Sequence, residues 1–219
     1  DPYQLDQKYT HKSIDQYQLF LSRYPDAKEK EKCVSALEEL RERLAFKAFE
    51  QAHLYYKIGY HKAAVQAFGN MIREYPDSKF REEAQYLLFR ASVNLAKASI
   101  YSRKIVRYDE AAEFHEKFAD KFPESKFAKD AQSELASANK TRARLKKDAA
   151  EKQQLGLYSS FKSSIGVVLK SKDLENRRKE YAKALDTYNE LKDKYPKSEY
   201  LSQADKLFQE VEEKQENNE

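Results

Sequence analysis

Glycine and proline are scarce, four and five among 219 residues. So few breakers leave little room for the turns of a loop-rich or sheet-rich fold, and point to long helices. Cysteine occurs once, at Cys33. A single cysteine excludes an intrachain disulfide and any cysteine-based metal site. Cys33 lies at helical spacing from Leu37, which marks it as a small buried side chain. No apolar run approaches the ~18 residues of a membrane-spanning helix. Neither sign of charge dominates: 41 Lys and Arg stand against 37 Asp and Glu, a net of +4. A nucleic-acid binder carries a clearer basic excess. The glycines are scattered, so there is no glycine-rich phosphate loop. The chain opens at Asp1-Pro2 without Met, signal peptide or lipid-attachment cysteine, and reads as a piece of a longer protein.

Charge is what the chain has in abundance: 36% of residues are charged, against 40% hydrophobic. Signs alternate, which suits long solvated helices rather than a compact α/β enzyme. The stretch AFKAFEQAHLYYKIGYHKAAVQAFGNMIREYP, residues 45–76, sets the pattern. Ala48, Ala52 and Tyr55 fall at helical spacing before Gly59; Ala64, Phe68, Met71, Ile72 and Tyr75 do so after it. Gly59 stands where a helix end needs a positive φ. Pro76 stops the second helix by disfavouring the helical conformation at Tyr75. Ala48, Ala52 and Ala64 let the two helices approach, and Tyr55 and Phe68 fill the seam. The stretch resembles one tetratricopeptide (TPR) unit short of its last two residues, with Gln51 and Met71 where that family usually has Leu and Ala.

An aromatic–proline pair recurs at Tyr24-Pro25, Tyr75-Pro76, Phe122-Pro123 and Tyr195-Pro196. Twelve residues before each proline stands a small residue: Ser13, Ala64, Ala111 or Ala184. Eight after stands another: Cys33, Ala84, Ala131 or Ala204. Eight before stands Tyr17, Phe68, His115 or Tyr188; five before, Phe20, Met71, Phe118 or Leu191; twelve after, Leu37, Leu88, Leu135 or Phe208. Such phase-locking specifies one unit, a helix, a proline break and a second helix, with an apolar face that only stacking can bury. The prolines are 51, 47 and 73 residues apart, against about 34 in a regular array. The surplus predicts long helices, one over 27–57 and one over 125–153 ending in the solvated Arg142, Arg144, Lys146 and Lys147. A second duplication overlies the first. Tyr86, Phe89, Ser92 and Val93 return as Tyr158, Phe161, Ser164 and Ile165; Tyr108, Ala111, Pro123 and Ala131 return as Tyr181, Ala184, Pro196 and Ala204. Residues 158–210 thus read as a degenerate copy of 86–137. The copy predicts a helix over 157–170 despite Gly166, and basic loops at 102–107 and 171–177.

The expected fold is all-α, a right-handed α-solenoid of TPR-like helix hairpins with long connecting helices. Residues 1–154 form the main array: a truncated first repeat, one regular TPR at 45–78, an extended repeat at 79–137 and a long helix to 153. Residues 155–219 add a degenerate repeat and a C-terminus, Gln215–Glu219, expected to fray. Because residues 1–11 are too few for the partner of 12–24, further repeats are expected upstream.

YYKIGYHKAAVQAF, followed by NMIREYPDSKFREEAQYLLF, resembles the BamD family, TPR lipoproteins of the bacterial outer-membrane β-barrel assembly machinery. SRYPDAKEKEKCVSALEELRERLAFKAFEQA resembles that family's third-to-fourth repeat junction. SVNLAKASIYSRKIVRYDEAAEFHEKFADKFPESKF resembles the fifth repeat of its Bacteroidota-type members. The resemblance covers residues 12–137, and the copy at 158–210 exceeds the family's usual five repeats. It implies a scaffold without enzymatic activity or cofactor, at the periplasmic face of the outer membrane. The implied partners are the periplasmic domains of the barrel subunit and other assembly factors, with no nucleic acid and with membrane contact only through a lipid anchor. Another periplasmic TPR adaptor, such as one of the Tol–Pal envelope system, shares the tyrosine–proline signature and is the alternative. An α-helical enzyme or nucleic-acid binder is the rival from another class.

The residues offer little catalytic chemistry. His11, His53, His61 and His115 lie in different repeat contexts without accompanying cysteine or paired carboxylates, so no metal site is assigned. Ser159-Ser160 and Ser163-Ser164 lack a nearby histidine to activate them. Asn139-Lys140-Thr141 fits a glycosylation acceptor but falls in a predicted helix. Arg142–Lys147 and Arg177-Arg178-Lys179 read as solvated helix faces. One surface remains. In TPR units the first helix lines the groove where partners lie, and the face opposite the Ala48/Ala52/Tyr55 seam offers Phe46, Phe49, His53, Tyr56 and Lys57. Aromatics beside a cation suit protein docking; the competing expectation is that they pack against the preceding helix.

Overall fold

A computed structural model describes residues 3–216, with side chains to residue 214. Asp1-Pro2 and residues 217–219 of the expected fraying end lie outside the described residues. The described chain holds eight α-helices and no strand: α1 (Lys8–Arg23), α2 (Lys30–Lys57), α3 (His61–Glu74), α4 (Arg81–Lys97), α5 (Tyr101–Lys121), α6 (Ala128–Lys170), α7 (Leu174–Lys194) and α8 (Glu199–Glu216). It divides into two compact units, Asp1–Ala143 and Arg144–Glu219, and the division falls within α6.

The four aromatic–proline pairs build four copies of one turn. Tyr24, Tyr75, Phe122 and Tyr195 close their helices with φ between −126° and −137° and ψ between 63° and 68°. Each donates its N–H to the carbonyl four residues back, that of Phe20, Met71, Phe118 or Leu191, at 2.9 Å. The following proline ring crowds this residue out of the helical region, so the helix ends there. The N–H of Ala27, Ser78, Ser125 or Ser198 then turns back to the aromatic's own carbonyl at 2.9–3.3 Å. Ser78 and Ser125 also brace successive hairpins. Their hydroxyls accept the N–H of Phe80 and Phe127 and donate to Glu42 on α2 and Glu82 on α4, at 3.0 and 2.6 Å.

Gly59 ends α2 with φ +80°. The Tyr60 N–H donates to the Tyr55 carbonyl at 2.9 Å and the Gly59 N–H to that of Tyr56 at 3.2 Å. These two bonds are the Schellman pair, which caps orphan carbonyls and requires a left-handed residue. α3 then folds back on α2, and Ala52, Ala64, Phe68 and Met71 are buried between them and α4. The small residues flanking each proline, Ala64, Ala111 and Ala184 before and Ala84, Ala131 and Ala204 after, are completely buried, because there the helices approach most closely. Their counterparts in the first copy, Ser13 and Cys33, are only half-buried. α1 packs against α2 alone among the described helices, so nothing covers its other side. Cys33 is therefore less buried than its spacing predicted.

Two further expectations are corrected. α6 is one helix from Ala128 to Lys170, not two. A glycine inside a helix costs only about 1 kcal/mol relative to alanine, and Gly156 has no proline beside it to complete a break. The supposed loop at 102–107 forms the first turns of α5, and only 171–173 of the supposed loop at 171–177 is non-helical. Lys and Arg are good helix formers, and a basic run without glycine or proline is no loop signal.

Within the second unit, Phe161, Ile165, Val168, Ala184, Ala204 and Val211 form one core, with Tyr158, Tyr181, Tyr188 and Phe208 packed on it. The duplication is visible in its contacts. Tyr86 stacks on Phe127 with ring centroids 4.5 Å apart, and their counterparts Tyr158 and Tyr200 stack at 5.0 Å. Phe89 meets His115 at 5.2 Å, as Phe161 meets Tyr188 at 6.1 Å.

Candidate partner-docking surface

α2 and α4 run side by side in the same direction. Glu42 meets Ser78 just before α4, Phe49 stacks on Phe80 at its first turn, and Tyr56 lies within electrostatic reach of Arg90 further along. This register decides the fate of the five residues singled out on α2. Phe49 is 4% exposed, stacked on Phe80 at 5.3 Å and edge-on to Phe68 at 6.1 Å. Phe46 is half-buried between Tyr3 and Phe80, with centroids at 4.6 and 5.1 Å. The expected docking face is thus in part an internal seam, formed with the helix that follows rather than the one that precedes.

A sequence signal for this existed. Phe80, Phe127 and Tyr200 each stand four residues after a proline, and each stacks on an aromatic of an earlier helix: Phe49, Tyr86 and Tyr158. Phe49 therefore belongs to the packing of one hairpin on the next.

The remaining residues face outward to different degrees. His53 is half-buried against the Phe49 ring at 5.7 Å. Tyr56 is half-buried, 6.5 Å from the His61 ring, and Lys57 is exposed. The fold brings two residues to them that the linear order did not reveal. Arg90 lies over the Tyr86 ring at 5.7 Å. Burial pulls its pKa down, but Tyr56, Tyr86 and Glu134 outweigh that and hold it above the ordinary value, so the guanidinium stays charged. Burial raises the Tyr86 pKa, against Arg90, which lowers it. Lys97 and Glu134 form an ion pair at 2.7 Å between α4 and α6. The result is an aromatic and charged strip across the first helices of successive hairpins. It offers hydrogen bonds, a cation and ring faces, the groups with which proteins hold peptide segments. Among the described residues, no group of three His, Cys, Asp or Glu is placed to hold a metal, and no helix is long and apolar enough to cross a membrane.

Comparison with protein families bears on the same hairpins. Residues 2–106 match the family model YfiO, described as outer membrane lipoprotein, and residues 173–198 match a tetratricopeptide repeat model. Together the two matches are consistent with a BamD-like TPR protein. The first match runs from α1 into α5 and includes all five residues of the α2 face; the second lies on the α7 hairpin of the second unit. BamD-like chains are outer-membrane assembly lipoproteins with protein-interaction repeats, a non-catalytic scaffold family. No curated protein matches the sequence.

Proposed function

We propose that this chain is a non-enzymatic scaffold of the outer-membrane β-barrel assembly machinery, acting at the periplasmic face of the bacterial outer membrane. Its partners are the periplasmic domains of the barrel subunit and other assembly factors. The observation that carries this reading is the outer-membrane-lipoprotein match over residues 2–106, which coincides with the hairpins that bear the aromatic and charged strip. Within the strip, His53, Tyr56 and Lys57 contact the partner together with Arg90, while Phe46 and Phe49 hold α2 in place from behind. The reading keeps the repeat bounds at 45–78 and 79–137 and treats 155–219 as an additional repeat.

The test is capture of the purified periplasmic domains of a barrel subunit by the chain and by a Tyr56→Ala/Lys57→Ala variant. Truncating such an anchor costs on the order of 1.4 kcal/mol or more, about tenfold in affinity. Tenfold weaker capture with an unchanged far-ultraviolet circular dichroism spectrum supports the reading. Undiminished capture, or loss of helicity along with binding, refutes the assignment of these residues. Retention of Tol–Pal components instead of the barrel subunit moves the chain to the alternative adaptor role.

A further inference from the structure

The two hairpin turns of the first unit expose an unusual set of side chains. At the α2–α3 turn, Leu54, Ile58 and Tyr60 protrude; at the α4–α5 turn, Ile100, Tyr101 and Val106 do. Tyr101 is 42% exposed, and the others range from 52% at Ile58 to 69% at Ile100. α2 and α4 lie parallel, as the Glu42–Ser78, Phe49–Phe80 and Tyr56–Arg90 neighbours show, so both turns fall on one edge of the unit. The charges on this edge are one-sided. Residues 51–73 and 84–108 contain no Asp or Glu, in a chain where acids and bases otherwise alternate. Lys57, Lys62 and Arg103 are exposed there. Lys97 is held by Glu134 of α6, Arg107 donates to the Ser99 hydroxyl, and Asp109, which follows the acid-free stretch, pairs with Arg142 at 2.9 Å. Glu134 and Asp109 are thus each engaged by a cation.

We propose that this edge rests on a bilayer surface rich in anionic phospholipid. Branched aliphatic and tyrosine side chains at the tips of convex turns enter the interfacial zone, where an amphipathic ring has its apolar body in the acyl boundary and its hydroxyl in water. Lys62 and Arg103 meet the phosphates, each contributing through charge that salt screens. A protein partner fits the edge less well, because protein hot spots are closed pockets, whereas these side chains are separate protruding tips. The contact is shallow and reversible. It goes beyond the expectation that the membrane is met only through a lipid anchor, and it does not depend on the partner-binding reading.

The absence of native tryptophan permits a clean test on the full chain. Ile100→Trp places an indole at the most exposed tip, and Leu185→Trp places one at a 42% exposed site in the second unit as a control. Each is mixed with vesicles of phosphatidylglycerol or of phosphatidylcholine, with no partner protein present. The expected result is a blue shift for Ile100→Trp with phosphatidylglycerol only, reversed by high salt. Adding Lys62→Glu and Arg103→Glu lowers the partition coefficient at least tenfold. Should Ile100→Trp fail to fold, Tyr60→Trp gives the same readout. An unshifted emission, an equal response to both lipids, or an equal shift in the Leu185→Trp control overturns the proposal. A shift produced only by an acidic protein segment, with none from vesicles, also overturns it and makes the edge a protein-docking surface.

Discussion

Gly59 and Gly69 offer two identical chemical changes with opposite expected signs. Both lie in the first unit, and a Cβ built at either meets no atom within 4 Å. Packing therefore contributes nothing to the comparison. Gly69 sits inside α3 with ordinary helical geometry. Alanine there reduces the freedom of the unfolded chain and stabilises by about 0.5–1 kcal/mol. Gly59 has φ +80° and carries both Schellman bonds. An L-residue in the left-handed region costs roughly 1–2 kcal/mol, which outweighs an unfolded-state gain of about 0.4–1 kcal/mol. Gly59→Ala should thus destabilise by about 0.5–1 kcal/mol. The two variants should straddle the parent, separated by about 1–2 kcal/mol, a few degrees in Tm for a chain of this size. Urea denaturation followed by circular dichroism gives both midpoints. If Gly59→Ala unfolds at the same urea concentration as Gly69→Ala, the turn after α2 is not held by a left-handed cap and the hairpin geometry is wrong.

Phe68 is fully buried against Phe49, so Phe68→Ala should cost about 3–5 kcal/mol by emptying a core site; an unchanged Tm would show that the repeat register is misplaced. Ser125→Ala removes the hydroxyl that links Glu82 to the start of α6, and calorimetry should show a loss of about 1–2 kcal/mol, with no loss if the brace is incidental. Burial holds the His115 pKa below the usual imidazole value. The unfolded chain takes up the proton first, so stability is full above about pH 6.5 and falls as pH drops through that value toward the lower folded pKa. His115→Phe, the residue type found at the equivalent Phe68, should abolish that slope in melts between pH 7 and pH 5.

The punctuation of the fold was readable because its causes are local. A proline acts on the residue before it, which is why Tyr24, Tyr75, Phe122 and Tyr195 share one backbone conformation. A glycine between two helical stripes supplies the cap at Gly59. The small residues at fixed distances from each proline likewise mark where helices cross. The expected separation of a helix ending at 153 from one starting at 157 does not occur: the lone Gly156 there weakens a helix by less than its neighbours stabilise it, so α6 runs on.

The docking surface was only partly legible. Helical periodicity put Phe46, Phe49, His53, Tyr56 and Lys57 on one face of α2, but it could not say what else packs there. Phe80 arrives from beyond the next turn and takes Phe49 into the core, while Arg90 comes up beside Tyr56. The amino-acid order by itself determined the helices, their ends and the repeat, because those depend on φ restrictions and on spacing within one helix. Which aromatics are buried, and which turns share an edge, were decided by the parallel stacking of α2 and α4. Those outcomes depend on contacts between residues more than thirty positions apart, which no local pattern encodes.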